Sequence, residues 1–199
     1  LINDLKQDSK YIVVVAQEDG AIEDPKPEDL YSYGTLAQVL KVFDMPDNSK
    51  SAIVQGISRV KILKYLKKEP YFSVAIELLE DKPVTDQLEV DALTNNLRQV
   101  FEDLMKVAPN LTEEHSGMLK NIQKANRLTD RAISVITISN QEKQEILEEL
   151  DIKIRLEKAL NLISREIQRI KLGEEIQSEV HDEITKTQRE YYLREQMKA

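Results

Sequence analysis

The sequence predicts the α+β class: a strand-rich half, then helices that end in a long projecting helix. Three observations carry this. From Tyr11 to about Asp81 the apolar residues come in short β-branched runs punctuated by turn residues. After Lys82-Pro83 the apolar period changes to three and four, that of an amphipathic helix. From Asp151 onward, strong helix formers are interrupted only by Gly173. The expected division is a β-rich unit over residues 1–82 and a helical unit over 83–199, its long helix at about 151–199.

The elements follow in order. YIVVVAQ (Tyr11 to Gln17) is a first strand closed by EDG, and Pro25 and Pro27 make the next stretch, AIEDPKPEDLYSY, a surface loop. GTLAQVLKVF (Gly34 to Phe43) is a second strand, ended by the turn chemistry of DMPDNS. SAIVQGISRVKILKYL (Ser51 to Leu66) is a single long strand-like run in which the isolated Gly56 marks a bulge or bend. YFSVAIELLED alternates, with Phe72, Val74, Ile76 and Leu78 on one side.

The helical half opens with Thr85 to Val107, where Leu88, Ala92, Leu93, Leu97, Val100, Phe101 and Leu104 keep helical spacing until Pro109-Asn110. Thr112 can cap the next helix, with Glu113 and Glu114 in its positive first turn, and another covers Arg127 to about Ile136. Ser139-Asn140-Gln141-Glu142 matches the capping box, and Asp151 can cap the last helix. There Leu156, Leu160, Ile163, Ile167 and Ile170 form a coiled-coil-like seam. Beyond it the apolar positions resume at Leu172, Ile176, Val180, Ile184 and Tyr191. The step from Ile170 to Leu172 turns the stripe by about 200°. Either Gly173 is a hinge that kinks the helix, or a continuous helix offers a second face to something outside this sequence.

Composition narrows the function. The net charge is −8, and Lys67-Lys68 is the largest basic knot, which argues against a nucleic-acid surface. There is no Cys, hence no disulfide and no thiolate site, which fits a reducing compartment. No stretch has the length and apolarity of a membrane span, so the expectation is a soluble protein of the cytoplasm. The five glycines stand apart, so no Gly-rich loop cradles phosphate. His115 and His181 lie far apart in acidic helical sequence and read as surface residues rather than metal ligands. Arg59 is a charge inside the apolar run ISRVKIL. It reads either as an outward residue or partner of a loop carboxylate, or as a contact for a bound peptide. Tyr191, Tyr192, Leu193 and Met197 sit on the terminal arm with few neighbours to cover them, and are candidate contacts for substrate or partner.

Taken together, DLYSYGTLAQVLKV, QGISRVKIL and PYFSVAIELL, with NRLTDRAISVI, EKQEILEELDIKIRLEKAL and QREYYLREQMKA, resemble the amino-terminal substrate-binding domain of the Lon ATP-dependent proteases. The resemblance covers nearly the whole chain. Two departures accompany it: the family's apolar, Pro-containing first strand is missing, and neither the Walker motifs nor the Ser-Lys dyad is present, so no catalytic residue carries over. Both ends read as cuts, the second within a helix that leads on to an ATPase module. The resemblance implies an α+β fold, a small twisted antiparallel β-barrel-like domain followed by an α-helical bundle ending in a long projecting helix, and unfolded or tagged proteins as substrates. Its implied partners are the chain's own ATPase-protease modules and neighbouring subunits, commonly in a hexamer, with ATP and Mg bound only in the ATPase module. The fragment itself is then not an enzyme, and holds no cofactor or metal. The alternative is a structural element that spaces and gates the entrance of the ring.

Overall fold

The computed structural model describes residues 10–47 and 49–198, with residue 116 and residues 191–198 described by their backbone alone. Strands β1 (Tyr11–Val14), β2 (Tyr33–Asp44), β3 (Lys50–Lys67) and β4 (Ser73–Leu79) form one antiparallel sheet in the order β1-β2-β3-β4. Helices α1 (Gln87–Val107), α2 (Glu113–Lys120), α3 (Ala125–Val135), α4 (Asn140–Glu148) and α5 (Ile152–Lys198) follow. This is the predicted succession: a β half, then helices ending in a long one.

The sheet is irregular in a systematic way. Its register skips Ile57, beside Gly56, and Leu40, Leu63 and Leu66. A bulged residue drops out of the two-residue alternation, so its side chain is no longer assigned to the packed face. All four are large aliphatics and all are exposed, between 51% and 60%. At Gly34 the reason for glycine is contact. A Cβ there would lie 2.5 Å from the carbonyl oxygen of Val14, so β1 crosses β2 at a distance no side chain allows.

The chain divides into two compact units, one holding the described residues up to Gln87 together with Ile138–Arg155, the other Leu88–Thr137 with the chain from Leu156 on. The first unit therefore takes back α4 after three helices have intervened. No periodicity signals this return. It is secured by specific bonds: Gln144 Nε2 donates to the Tyr33 carbonyl at 3.1 Å, and Arg59 Nε donates to the Leu147 carbonyl at 2.9 Å. Ser139 opens α4 with the predicted box, its Oγ accepting from Glu142 N at 3.2 Å while its own N donates to Glu142 Oε2 at 3.0 Å.

In the second unit α1 buries Val90, Thr94, Leu97, Phe101 and Leu104. The stripe expected through Leu88 and Ala92 is corrected here: Ala92 is exposed and Leu88 is 83% exposed. The reason is Thr94, whose hydroxyl donates to the Val90 carbonyl at 2.6 Å and so enters the core with its polar group satisfied. At α2 the Thr112 cap is closed by His115, whose Nδ1 accepts from Thr112 N at 3.1 Å. Asp151 caps α5, its Oδ1 accepting from Lys153 N at 3.0 Å. Along α5 the buried positions are Ile152, Arg155, Leu156, Ala159, Ile163 and Glu166, whereas Leu160 and Ile167 of the expected seam are half-buried. Glu166 tolerates burial because both its oxygens receive Arg169, at 2.8 and 2.6 Å. The helix runs on through Gly173, and residues 171–190 are exposed without exception.

Candidate functional site

The first unit places different chemistry on the two faces of its sheet. Arg59 stands opposite Thr35 and Leu79 in the register, on the face that carries α4. Ser58 stands opposite Leu36, so Leu36 and Ile62, which share its parity on the paired strands, point to the other face. On that second face lies a cleft of about 770 Å³.

The lining of the cleft comes from four places in the sequence. The strand β1 and its end supply Tyr11, Ile12, Val13 and Val15; the Pro-rich loop supplies Asp24, Pro25 and Leu30. The sheet floor supplies Leu36, Ile62 and Tyr65, and the β3–β4 turn with the start of β4 supplies Lys68, Pro70, Tyr71, Phe72, Ser73 and Val74. Tyr65 and Phe72 meet edge to face, with ring centroids 5.5 Å apart and an interplanar angle of 80°. Burial pushes the Tyr65 phenol above its ordinary pKa. The wall is thus mostly aliphatic and aromatic, with Asp24 and Lys68 as its two charges. The volume falls within the range of roughly 300–1,000 Å³ typical of binding sites. Beside it, β1 and β4 are the sheet's edges, each paired on one side among the described strands. An open edge offers backbone donors and acceptors to an added strand.

The residues singled out in the sequence fall elsewhere. Arg59 is 13% exposed and is spent on internal partners, the Leu147 carbonyl and, at 4.0 Å, Asp81. Gly173 lies within α5, and no atom lies within 4 Å of where its Cβ would be, apart from the helix's own backbone. The side chains of Tyr191, Tyr192, Leu193 and Met197 lie outside the described residues. The cleft itself was missed in the sequence because its residues read as ordinary strand and loop. The one available signal was aromatic clustering in the PYF turn, Pro70 to Phe72, next to a strand already rich in apolar residues. A second, much smaller pocket, of about 50 Å³ between α1, α2 and α3, is lined by Leu97, Arg98, Phe101, Glu102, Leu119, Lys120, Leu128 and Ala132. Among the described residues no group of three or more His, Cys, Asp or Glu could hold a metal ion, and no helix is long and apolar enough to cross a membrane.

An antiparallel four-stranded sheet with a cleft on one face, followed by helices of which the last is long, defines an α+β fold. Its family follows from comparison. Residues 1–165 match the model of the ATP-dependent protease La (LON) substrate-binding domain, and the chain belongs to that family. It is 40% identical over 200 residues to a Lon protease of Koribacter versatilis and 37% identical over 199 residues to one of Anaeromyxobacter dehalogenans. Both alignments take in 100% of this chain and 24% of the relative, so the chain spans about a quarter of the length of these proteins. Among solved structures, the N-terminal domain of Mycobacterium avium complex Lon protease superposes with a TM-score of 0.58 at 22% identity, covering 77% of this chain and 90% of that one. A Lon N-terminal domain protein from Xanthomonas campestris gives 0.55 at 17% identity, with 80% of each chain covered. These two likenesses are of fold.

Proposed function

We propose that this chain captures unfolded or tagged polypeptides in the cleft of its sheet and delivers them to an ATPase-protease module elsewhere in a Lon-type protein. The observation that carries this reading is the cleft, an apolar and aromatic trough beside open strand edges. An extended chain can lay alternate side chains into such a trough while its backbone pairs with an edge. In this reading the longer protein is a cytoplasmic, commonly hexameric serine endopeptidase with a Ser-Lys dyad. Its ATP and Mg are bound outside this chain, and damaged and regulatory proteins are its substrates.

The test is binding of a fluorescent denatured protein by the chain and by a Tyr11→Ser, Phe72→Ser variant. Both side chains are exposed, at 52% and 36%, so the fold tolerates their loss. A loss of affinity of roughly tenfold, from two truncated aromatic contacts, is expected. Unchanged affinity removes the cleft from the mechanism.

A second reading, an assembly element that spaces and gates a ring, is favoured by the exposed residues 171–190 of α5. It assigns Tyr191, Tyr192, Leu193 and Met197 to contacts with neighbouring subunits and Gly173 to a hinge. Its test is the oligomeric state and processive degradation of the longer protein with Tyr191, Tyr192 and Met197 replaced by Ser. Unchanged assembly and degradation reject it.

A further inference from the structure

The two residues that β3 skips against β4 rearrange its charges. In an unbroken strand Arg59, Lys61 and Lys67 would share one face and Lys64 would lie on the other. With Leu63 and Leu66 out of register, Arg59 stands opposite Leu79, Lys61 opposite Glu77, Lys64 opposite Ala75 and Lys67 opposite Ser73. These partners are every second residue of β4, so all four cations lie on one face, in steps of about 6.7 Å. Arg59 is turned to Asp81 and the Leu147 carbonyl, and Lys61 lies over the Tyr33 ring, 5.4 Å from its centroid. Lys64 and Lys67 are exposed and have no ion-pair partner among the described residues.

Between these two lysines and the edge of the sheet stand only the short side chains of Ser73 and Ala75, because β4 is paired on one side among the described strands. A strand added to that edge runs about 10 Å from β3, two strand spacings away, in the same two-residue step. Its side chains on this face point over Ser73 and Ala75 toward Lys67 and Lys64, a gap that a Glu and a Lys side chain close together. A Lys there would be repelled, and an apolar residue would leave both cations bare. One step further along, Glu77 stands in the way of a third carboxylate. The alternate residues of the added strand point to the other face, where Phe72 and Val74 line the cleft. We infer that the β4 edge takes an extended substrate segment in which two carboxylates, at positions i and i+2, alternate with apolar residues. The carboxylates go to Lys64 and Lys67 and the apolar residues to the cleft. The inference rests on the capture reading proposed above and adds to it the site of backbone pairing and the charge of what pairs. A polyanion such as polyphosphate is the competing occupant. It would use the lysines but neither the edge nor the cleft, and the net charge of −8 repels it.

The experiment uses the 199-residue chain and three labelled peptides of equal length, with the same apolar residues at alternate positions and Glu, Gln or Lys at two positions between them. Fluorescence anisotropy is expected to rank their affinities Glu, Gln, Lys, with about tenfold between first and last and a margin that narrows as salt is added. Lys64→Gln with Lys67→Gln, both exposed, leaves the affinity for the Gln peptide unchanged and removes the ranking. Backbone N-methylation of the Glu peptide weakens its binding on one alternate set of residues, whose N–H groups face the edge, and not on the other. The cleft variant Tyr11→Ser, Phe72→Ser lowers the affinity for all three peptides and keeps their order, so cleft and lysine pair fail separately. Equal affinity for the Glu and Lys peptides, or a ranking that survives the lysine substitutions, overturns this inference alone. So does equally tight binding of a peptide of the same composition with its two Glu adjacent, or of inorganic polyphosphate. Binding of none of the peptides overturns the inference together with the capture reading.

Discussion

Arg155, fully buried, donates through Nη2 to Oδ1 of Asp81, 74 residues earlier in the chain. The same guanidinium donates through Nε to the Glu149 carbonyl at 2.7 Å, while Arg59 reaches the Leu147 carbonyl from the sheet. Two arginines thus satisfy carbonyls at and just beyond the end of α4, whose C-cap, Glu149, is extended rather than a left-handed glycine. Asp81, two residues past β4, pairs with both, and Lys82 N donates to the Leu150 carbonyl at 2.8 Å beside them. This knot sets where α5 begins.

Removing Asp81 leaves a buried cation without its carboxylate. Asp81→Ala is expected to lower stability by about 3 kcal/mol, measured by urea unfolding. Asp81→Leu combined with Arg155→Met, which removes both charges, is expected to cost less than Asp81→Ala alone. A double variant less stable than the single one would contradict this account of the knot.

The glycines separate by their surroundings. Gly34→Ala drives a methyl against the Val14 carbonyl and is expected to cost about 1–3 kcal/mol by forcing β1 off β2. Gly173→Ala meets nothing and is expected to stabilise α5 by up to about 1 kcal/mol. Thermal unfolding followed by circular dichroism reads both. If Gly173 is a hinge in the longer protein, the gain in helix stability comes with slower degradation.

Tyr65 reports on the cleft. Its pKa is raised by burial, so the folded state holds the phenolic proton more tightly than the unfolded chain does. The corresponding stability is complete below the ordinary tyrosine pKa of about 10 and is lost as pH rises through the folded value. Tyr65→Phe is therefore expected to flatten the alkaline limb of the stability curve. A peptide seated in the cleft adds burial and moves the phenolate absorbance transition to still higher pH; a transition that stays in place would mean that the peptide binds elsewhere.

At the acid end the sign reverses. The hydrogen bond from Lys106, 2.7 Å away, holds the Asp103 carboxyl below its ordinary pKa. Its contribution is present above the ordinary Asp value, about 3.9, and disappears as pH falls through the folded one. Asp103→Asn is expected to reduce the acid dependence of unfolding slightly, and added salt to reduce it further, since the pair is exposed.

The strands, the α1–α5 succession and the Ser139 box were legible because each depends on residues within a few positions of one another. The change of stripe near Leu172 was legible for the same reason: helical geometry converts spacing directly into direction. The choice between a kink and a continuous second face was not, since both obey the same local rules. At α1 even the buried face was misread, because Thr94 looks polar until its hydroxyl is known to bond back to Val90.

Local order, then, belongs to the one-dimensional pattern, because period, caps and turn residues act over one or two turns of chain. The cleft, the return of α4 to the sheet and the knot at Asp81 belong to the three-dimensional arrangement. Each joins residues far apart in the chain. Tyr11 and Phe72 share a wall, and Gln144 meets Tyr33 across 111 positions. Such meetings follow from chain reversals and from the skipped residues Leu40, Ile57, Leu63 and Leu66, whose side chains leave the alternation that the pattern alone would assign.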